Sequence, residues 1–357
     1  MTRAELCAAR YGVLEKYSKI GKVISSEPYG NGHINDTFLT VAEGGRRYIL
    51  QRINNVVFPK PWEVMENITS VTEHIRAKAT SDVERSTLTV VPTDEGESFY
   101  LDENGSYWRL YDFVEGTVSR ERVESIAEFE SCAEAFGEFQ RSLADFPAES
   151  LHEAIVNFHN TEVRYENLMK AIERDAVGRA SDVAEEIAFV RARYEFACSF
   201  ERAREQGILP LRVTHNDTKL NNILFDAESL RPVCVIDLDT VMPGYSMNDF
   251  GDSIRFGANT AAEDEVDLSR VSLDMELYRA YEGGFIRGCG GALTDFELEN
   301  LSSGAMMMTF ECGMRFLTDY LDGDVYFKIS PDRPRHNLDR ARCQFALLAD
   351  MERKLGK

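Results

Sequence analysis

Within one stretch of this chain an acid, an amide and a histidine stand at a spacing suited to moving a phosphoryl group. Thr214-His215-Asn216-Asp217-Thr218-Lys219-Leu220-Asn221-Asn222-Ile223-Leu224-Phe225 is followed, after the turn Asp226 to Pro232, by Val233-Cys234-Val235-Ile236-Asp237-Leu238-Asp239. Mg2+ ions take oxygen ligands, and the Asn222 amide and the Asp237 carboxylate, at the end of the next strand, supply them. A substrate hydroxyl needs an acceptor to orient it and take its proton, and Asp217 sits where that group belongs. His215 holds the loop through hydrogen bonds. The apolar runs on either side of the turn make a hairpin that fixes the separation of Asn222 and Asp237. Asp239 either touches a second metal or caps the following turn. A lone His-x-Asp would be ordinary turn chemistry. The full motif His-x-Asp-x-x-x-x-Asn, a hairpin and then Ile-Asp-x-Asp point together to phosphoryl transfer.

These groups need elements to position them. Residues 20–110 read as strand-rich: Phe38 to Val41 and Arg47 to Ile53 flank the turn Glu43-Gly44-Gly45, and Leu88 to Val91 and Tyr107 to Phe113 follow. Val64 to Ala79 has helical spacing, with Val64, Ile68, Val71 and Ile75 along one side. After Gly116 the pattern turns to long amphipathic helices over Ile126 to Ala144, Thr161 to Asp175 and Asp182 to Gln206. A strand–turn–strand region at 211–240 and helices near 295–321 and 338–355 complete the chain. The expected fold class is α+β: a small β-rich N-terminal lobe, residues 1–113, and a larger, mainly helical C-terminal lobe, residues 114–357.

Composition narrows the function classes. With 357 residues, 43% hydrophobic and 28% charged, the chain can bury sizeable cores beneath a polar surface. No apolar run approaches the roughly 18–20 residues of a membrane span, and Met1 to Leu6 carries no apolar stretch behind its positive charge, so neither a membrane partner nor a secretory signal is expected. The seven cysteines are scattered, odd in number and without a C-x-x-C pair; they read as free thiols in a cytoplasmic protein. A net charge of −21 repels a nucleic-acid backbone. A small-molecule substrate is the expected partner.

The motif pair resembles that of the aminoglycoside phosphotransferase and choline kinase superfamily, which implies a protein-kinase-like bilobal fold, ATP and Mg2+. By that resemblance Asp217 and His215 are the catalytic pair, and Asn222, Asp237 and Asp239 the metal ligands. Upstream, Tyr29-Gly30-Asn31-Gly32-His33-Ile34-Asn35 places two glycines between strands, where backbone N–H groups can approach phosphates; in isolation an ordinary hairpin turn is the plainer reading, and with the downstream motifs a phosphate-covering loop is favoured. Asn35 belongs to the same ATP-binding loop. His33 either reaches the phosphates or substrate, or packs within the loop. On the next strand the superfamily expects a Lys or Arg for the α/β-phosphates. No Lys is present; Gln51 and Arg52 point to opposite faces, and Arg52, the charged one, is assigned, with Glu73 (or Glu66) as its helix partner. The segment Trp108 to Gly116 looks like the hinge, with adenine read by backbone near Asp112 and Val114. Asn248 to Arg255 reads as structural, its carboxylates bracing the catalytic loop.

Several segments narrow the resemblance to the N-acetylhexosamine 1-kinase family, whose members phosphorylate the anomeric hydroxyl. They include Gly30 to Thr37, Tyr48 to Asn54, Thr214 to Asn222, Val235 to Gly244 and Glu311 to Lys328. The resemblance implies sugar contacts from Arg315 and Tyr326. Glu311 and Arg315 interrupt an otherwise apolar helix one turn apart, either as an ion pair or as substrate-lining groups. An arginine there disfavours cationic acceptors such as choline or an aminoglycoside. Asn157 to Arg164 either lines the same site or caps the helix near Thr161. A nucleotide-binding regulator without catalysis is the reading from another class; the intact Asp217, Asn222 and Asp237 weigh against it.

Overall fold

Alternating apolar residues fold the N-terminal segment into a sheet with two chemically different faces. In the computed structural model, which describes residues 3–30, 32, 34–120 and 124–356, β1 (Val23–Pro28), β2 (Asp36–Ala42), β3 (Arg47–Ile53), β4 (Val90–Val91), β5 (Tyr100–Leu101) and β6 (Tyr107–Asp112) form it. Their antiparallel order is β1-β2-β3-β6-β4, with β5 also on β6. Phe38, Tyr48, Leu50, Trp108 and Leu110 are buried on one face with Val13 and Leu14 of helix α1 (Arg3–Leu14). The opposite parity carries Gln51 beside Arg109 in the β3–β6 register. Helix α2 (Pro61–Lys78) packs there, with Met65 Sδ 3.9 Å from Arg109 Nη1. Its buried residues include Val64, Ile68, Val71 and Ile75, the expected stripe. The helix begins at Pro61, earlier than apolar spacing indicates, because proline at the first helical position loses no backbone hydrogen bond.

The chain divides into two units, the first comprising residues 1–119, 145–156 and 223–242. The expected hairpin is Ile223–Asp226 paired antiparallel with Pro232–Val235, and β7 (Thr117–Ser119) lies along its other edge. Asn67 of α2 ties the returning segments down. Its Nδ2 donates to the carbonyls of His152 and Val241 at 2.8 and 3.0 Å, and its Oδ1 accepts from His152 N at 2.8 Å. Since a buried group left without its partner costs about 1–3 kcal/mol, Asn67→Ala should destabilise the protein by roughly 2–4 kcal/mol. Urea unfolding measures this; a change within experimental error would contradict the role.

The second unit comprises residues 120–144, 157–222 and 243–357. It holds α3 (Ile126–Ser142), α4 (Thr161–Arg174) and the helices Ser246–Gly257, Met275–Cys289, Leu301–Asp322 and His336–Leu355. Leu301–Asp322 is buried nearly all round, as its apolar composition requires. It crosses Ser246–Gly257 where Gly304 meets Gly251. A Cβ on Gly304 would lie 2.2 Å from the Met247 carbonyl oxygen, and one on Gly251 would lie 2.3 Å from that of Gly304, so only glycines permit this approach. The single helix expected over 182–206 is instead three short ones, Ala184–Arg191, Tyr194–Ala197 and Ser199–Glu205. At the first break Arg193 donates from Nη1 to the Phe189 carbonyl and pairs through Nε and Nη2 with Glu352. Among the described residues no helix is long and apolar enough to cross a membrane.

Candidate active site

The second unit builds the motif loop on buried polar groups. Asp249, fully buried in helix Ser246–Gly257, accepts from the backbone N–H groups of His215 (2.9 Å) and Asn216 (2.7 Å) and from Gln140 Nε2 (2.6 Å). Burial pushes the Asp249 carboxyl above its ordinary range, against the pull of those hydrogen bonds. Thr218 Oγ1 donates to the Asp249 carbonyl and Ser253 Oγ to the Thr218 carbonyl, both at 2.6 Å. Asn216 takes a left-handed conformation, φ 64°, which non-glycine residues adopt only where surroundings hold them. His215 is buried edge-on to Phe136 and Phe139, and its Nδ1 accepts from Asp217 N at 3.3 Å.

This scaffold presents Asp217, 27% exposed at its side chain. Lys219 Nζ lies 2.6 Å from Asp217 Oδ1. Burial alone would lower the Lys219 pKa, but the charges of Asp217 and Asp252 outweigh it and raise the ammonium above its ordinary value. Asn222 Nδ2 donates to the Asp217 carbonyl at 2.8 Å and to Asp217 Oδ2 at 3.2 Å, which leaves Asn222 Oδ1 as an oxygen donor. Lys219 stands inside the motif and went unassigned in the sequence; its position two residues after the acid was the available signal.

The stretch Asn157 to Arg164 proves to be both a cap and a strut. Asn160 Oδ1 accepts from Val163 N at the start of α4. His159 Nδ1 faces Glu311 Oε1 at 2.8 Å, while its Nε2 faces the Asn216 carbonyl at 3.1 Å. With an acceptor on each side, both ring nitrogens carry protons and the ring is an imidazolium. Burial lowers the His159 pKa, but the charge and hydrogen bond of Glu311 outweigh it, leaving the value above 6.5. Glu311 is shifted below its ordinary 4.5: burial raises it, and His159 more than offsets this. Thr161 Oγ1 occupies Glu311 Oε2 at 2.9 Å. The raised imidazole contributes stability in full below 6.5, lost as pH rises through its folded value. The lowered carboxylate contributes above 4.5, lost as pH falls through its own. The stability advantage of the wild type over His159→Gln should therefore be greatest between these limits and shrink on the alkaline side. Urea titrations across pH test this; an unchanging difference would contradict the imidazolium assignment.

Arg315 and Glu311, expected as an ion pair or as lining, use their side chains differently. Glu311 turns to His159 and Thr161, whereas the Arg315 guanidinium lies over the rings of Phe158 and Phe327, at 5.5 and 5.6 Å. Tyr326 is 68% exposed. Its loop is held by Asp319, whose carboxylate accepts from the backbone N–H groups of Val325, Tyr326 and Phe327 at 2.8–2.9 Å.

In the first unit the strand-end acid Asp239 meets Arg109, a residue to which the sequence assigned no role. Arg109 Nη1 lies 2.5 Å from Asp239 Oδ1, the two side chains being 1% and 4% exposed. Asn35 Nδ2 donates to Asp239 Oδ2 at 2.6 Å, and Arg109 Nε donates to Gln51 Oε1 at 3.0 Å. Burial opposes the Arg109 charge, but Asp239 and, more weakly, Tyr111 and Asp237 hold its pKa above the ordinary value. Asp237 itself adopts φ 58° at the end of the hairpin. Arg52 instead shares the face of Tyr48 and Leu50, and its Nε donates to Asp36 Oδ2 at 2.8 Å. Glu73 is exposed, and Glu66 meets His152 at 2.6 Å. Gly30 has φ 76° and Gly32 is exposed; Tyr29 N donates to the Thr37 carbonyl across that loop. His33 lies outside the described residues. At the expected hinge, Asp112 N donates to the Thr89 carbonyl, Phe113 N to that of Arg47, and the Val114 carbonyl accepts from Thr117 Oγ1. In the second unit Asn222 keeps Oδ1, an oxygen donor of the kind Mg2+ takes. Asp239 has both oxygens engaged by Arg109 and Asn35.

The phosphotransferase enzyme family matches residues 25–283 of the chain. Similar solved structures include a microcompartment-associated aminopropanol kinase, 16% identical with a TM-score of 0.65 over 98% of this chain and 97% of that one. A choline kinase from Cryptosporidium parvum Iowa II is 12% identical, TM-score 0.58, over 99% and 96%. An amicoumacin kinase in complex with AMP-PNP and Ca2+ is 13% identical, TM-score 0.58, over 97% and 96%. At such identities the likeness concerns the fold, a mixed α+β arrangement of protein-kinase-like type with an antiparallel N-terminal sheet and a helical C-terminal part. The family match spans most of the sequence and contains the motif loop with Asp217, the hairpin and Asp237: the chain belongs to the phosphotransferase enzyme family.

Proposed function

We propose that this phosphotransferase is an ATP- and Mg2+-dependent kinase of a small alcohol, acting on the anomeric hydroxyl of an N-acetylhexosamine. The observation that carries it is the setting of Asp217: a partly exposed carboxylate paired with Lys219 and Asn222, on a loop that Asp249 fixes through two backbone N–H groups. Such a group orients the acceptor hydroxyl and takes its proton as the oxygen bonds to the γ-phosphorus and ADP leaves. Lys219 brings a positive charge to the same carboxylate, near the charge that develops. Asn222 and Asp237 would be the groups to hold Mg2+, whose charge would offset that of the triphosphate. The nucleotide falls to residues 1–113, with the glycine loop at Gly30 and Gly32 over the phosphates and the backbone at Asp112 and Val114 at the base. Residues 114–357 carry catalysis and the acceptor.

Arg315, two aromatic rings and the tethered Tyr326 offer a sugar donors, acceptors and a flat surface, and the guanidinium repels an ammonium acceptor of the choline type. Transfer of labelled γ-phosphate to GlcNAc and GalNAc tests the proposal. Transfer to at least one is expected; transfer to amino alcohols with none to either sugar would remove the hexosamine reading.

A further inference from the structure

Buried and half-buried arginines in the second unit are usually answered by carboxylates: Arg212 by Glu297, Arg255 by Asp252 and Glu263, Arg193 by Glu352. Two are not. Arg164 donates from Nη2 to the Phe158 carbonyl, and its Nε is buried without a hydrogen-bond partner. Arg315 lies over the Phe158 and Phe327 rings. Among the described residues neither makes an ion pair. The two guanidiniums repel each other: burial and then the charge of Arg315 push the Arg164 pKa below its ordinary value. The charge of Glu311 offsets part of this repulsion, but its oxygens are engaged by His159 and Thr161 and bond to neither guanidinium. In a chain of net charge −21, two like charges held together with a buried donor unused cost stability. A ligand that brings the missing acceptor repays it.

From this we infer that Arg164 and Arg315 form a subsite for an anionic group on the acceptor, so that the preferred substrate is an acidic sugar bearing a carboxylate or a phosphate. The subsite adjoins the reacting group, since His159 links Glu311, one turn before Arg315, to the Asn216 carbonyl beside Asp217. A planar guanidinium suits either anion, and the aromatic rings suit the sugar face. The inference rests on the acceptor reading of Asp217 and narrows the class of alcohol.

Calorimetry on the full chain with Mg2+ and AMP-PNP tests it with three probes: GlcNAc, GlcNAc 6-phosphate and N-acetylglucosaminuronate. One of the two acids should bind at least about tenfold tighter than the neutral sugar, the worth of one charge-assisted hydrogen bond, and whichever does so identifies the anion. Arg164→Gln should remove that preference, and Arg164→Lys should keep part of it. Because Arg164→Gln relieves repulsion, its melting temperature should stay level or rise; a marked fall would make Arg164 a structural residue and overturn the subsite. Equal or weaker binding of both acids, or no binding of any probe, also overturns it. Acid binding without phosphoryl transfer would uphold the subsite and sink the kinase reading, so the two fail separately.

Discussion

Asp217→Asn is expected to lower kcat by about 10³-fold while leaving nucleotide affinity within a small factor of the wild type. The estimate follows from the usual worth of a positioned general base, about 10²–10⁴. Asparagine keeps the size of the side chain, so the contact with Asn222 and the fixed loop need not collapse, but it cannot take a proton and it leaves Lys219 with the charge of Asp252 alone. Steady-state kinetics with a nucleotide titration on the same sample separate the two effects. A variant that retained a tenth or more of wild-type kcat would place the proton acceptor elsewhere.

The second large effect concerns stability and separates two arginines. Arg109→Ala should destabilise the protein by about 3–5 kcal/mol, because it leaves the Asp239 carboxylate buried and uncompensated. Arg52→Ala should cost under about 1 kcal/mol, its pair with Asp36 being 30% and 41% exposed. Exchanging both buried partners, as in Arg109→Met with Asp239→Leu, should recover much of the loss. Denaturant unfolding gives all three values. Equal costs for Arg52 and Arg109 would refute the assignment of Arg109 as the cation of the strand-end acids.

Arg52 was assigned to the phosphates as the charged residue of its strand, whereas the partner of Asp239 is Arg109. Strand parity states that Gln51 and Arg52 face opposite ways, but which face meets the acids depends on where α1 and α2 settle. Tyr48 and Leu50, on the parity of Arg52, turn to α1, and this places Gln51 with Arg109 on the other side. Arg109, flanked by the buried Trp108 and Leu110, carried a readable signal: a charge between two large apolar residues in a strand must face away from them.

Helix Ser246–Gly257 hid for a related reason. Asn248, Asp249, Asp252 and Ser253 are buried there, so polar residues occupy the positions that apolar ones normally mark, and periodicity fails where the helix serves the loop. The bracing role of its carboxylates was nonetheless legible from residue type. The motif loop, the hairpin and the α2 stripe were legible as well, because each rests on local spacing. His159 was not, since its partners Glu311 and Asn216 arrive from distant parts of the chain.

Incubation of the protein with ATP, Mg2+ and an N-acetylhexosamine, neutral or acidic, followed by ³¹P NMR, bears most directly on the central claim that Asp217 directs the γ-phosphoryl group to an anomeric oxygen. The account predicts a new phosphomonoester resonance coupled to the anomeric proton, growing with ADP and absent with Asp217→Asn. ADP accumulating together with inorganic phosphate alone, at the same rate with and without sugar, would contradict it.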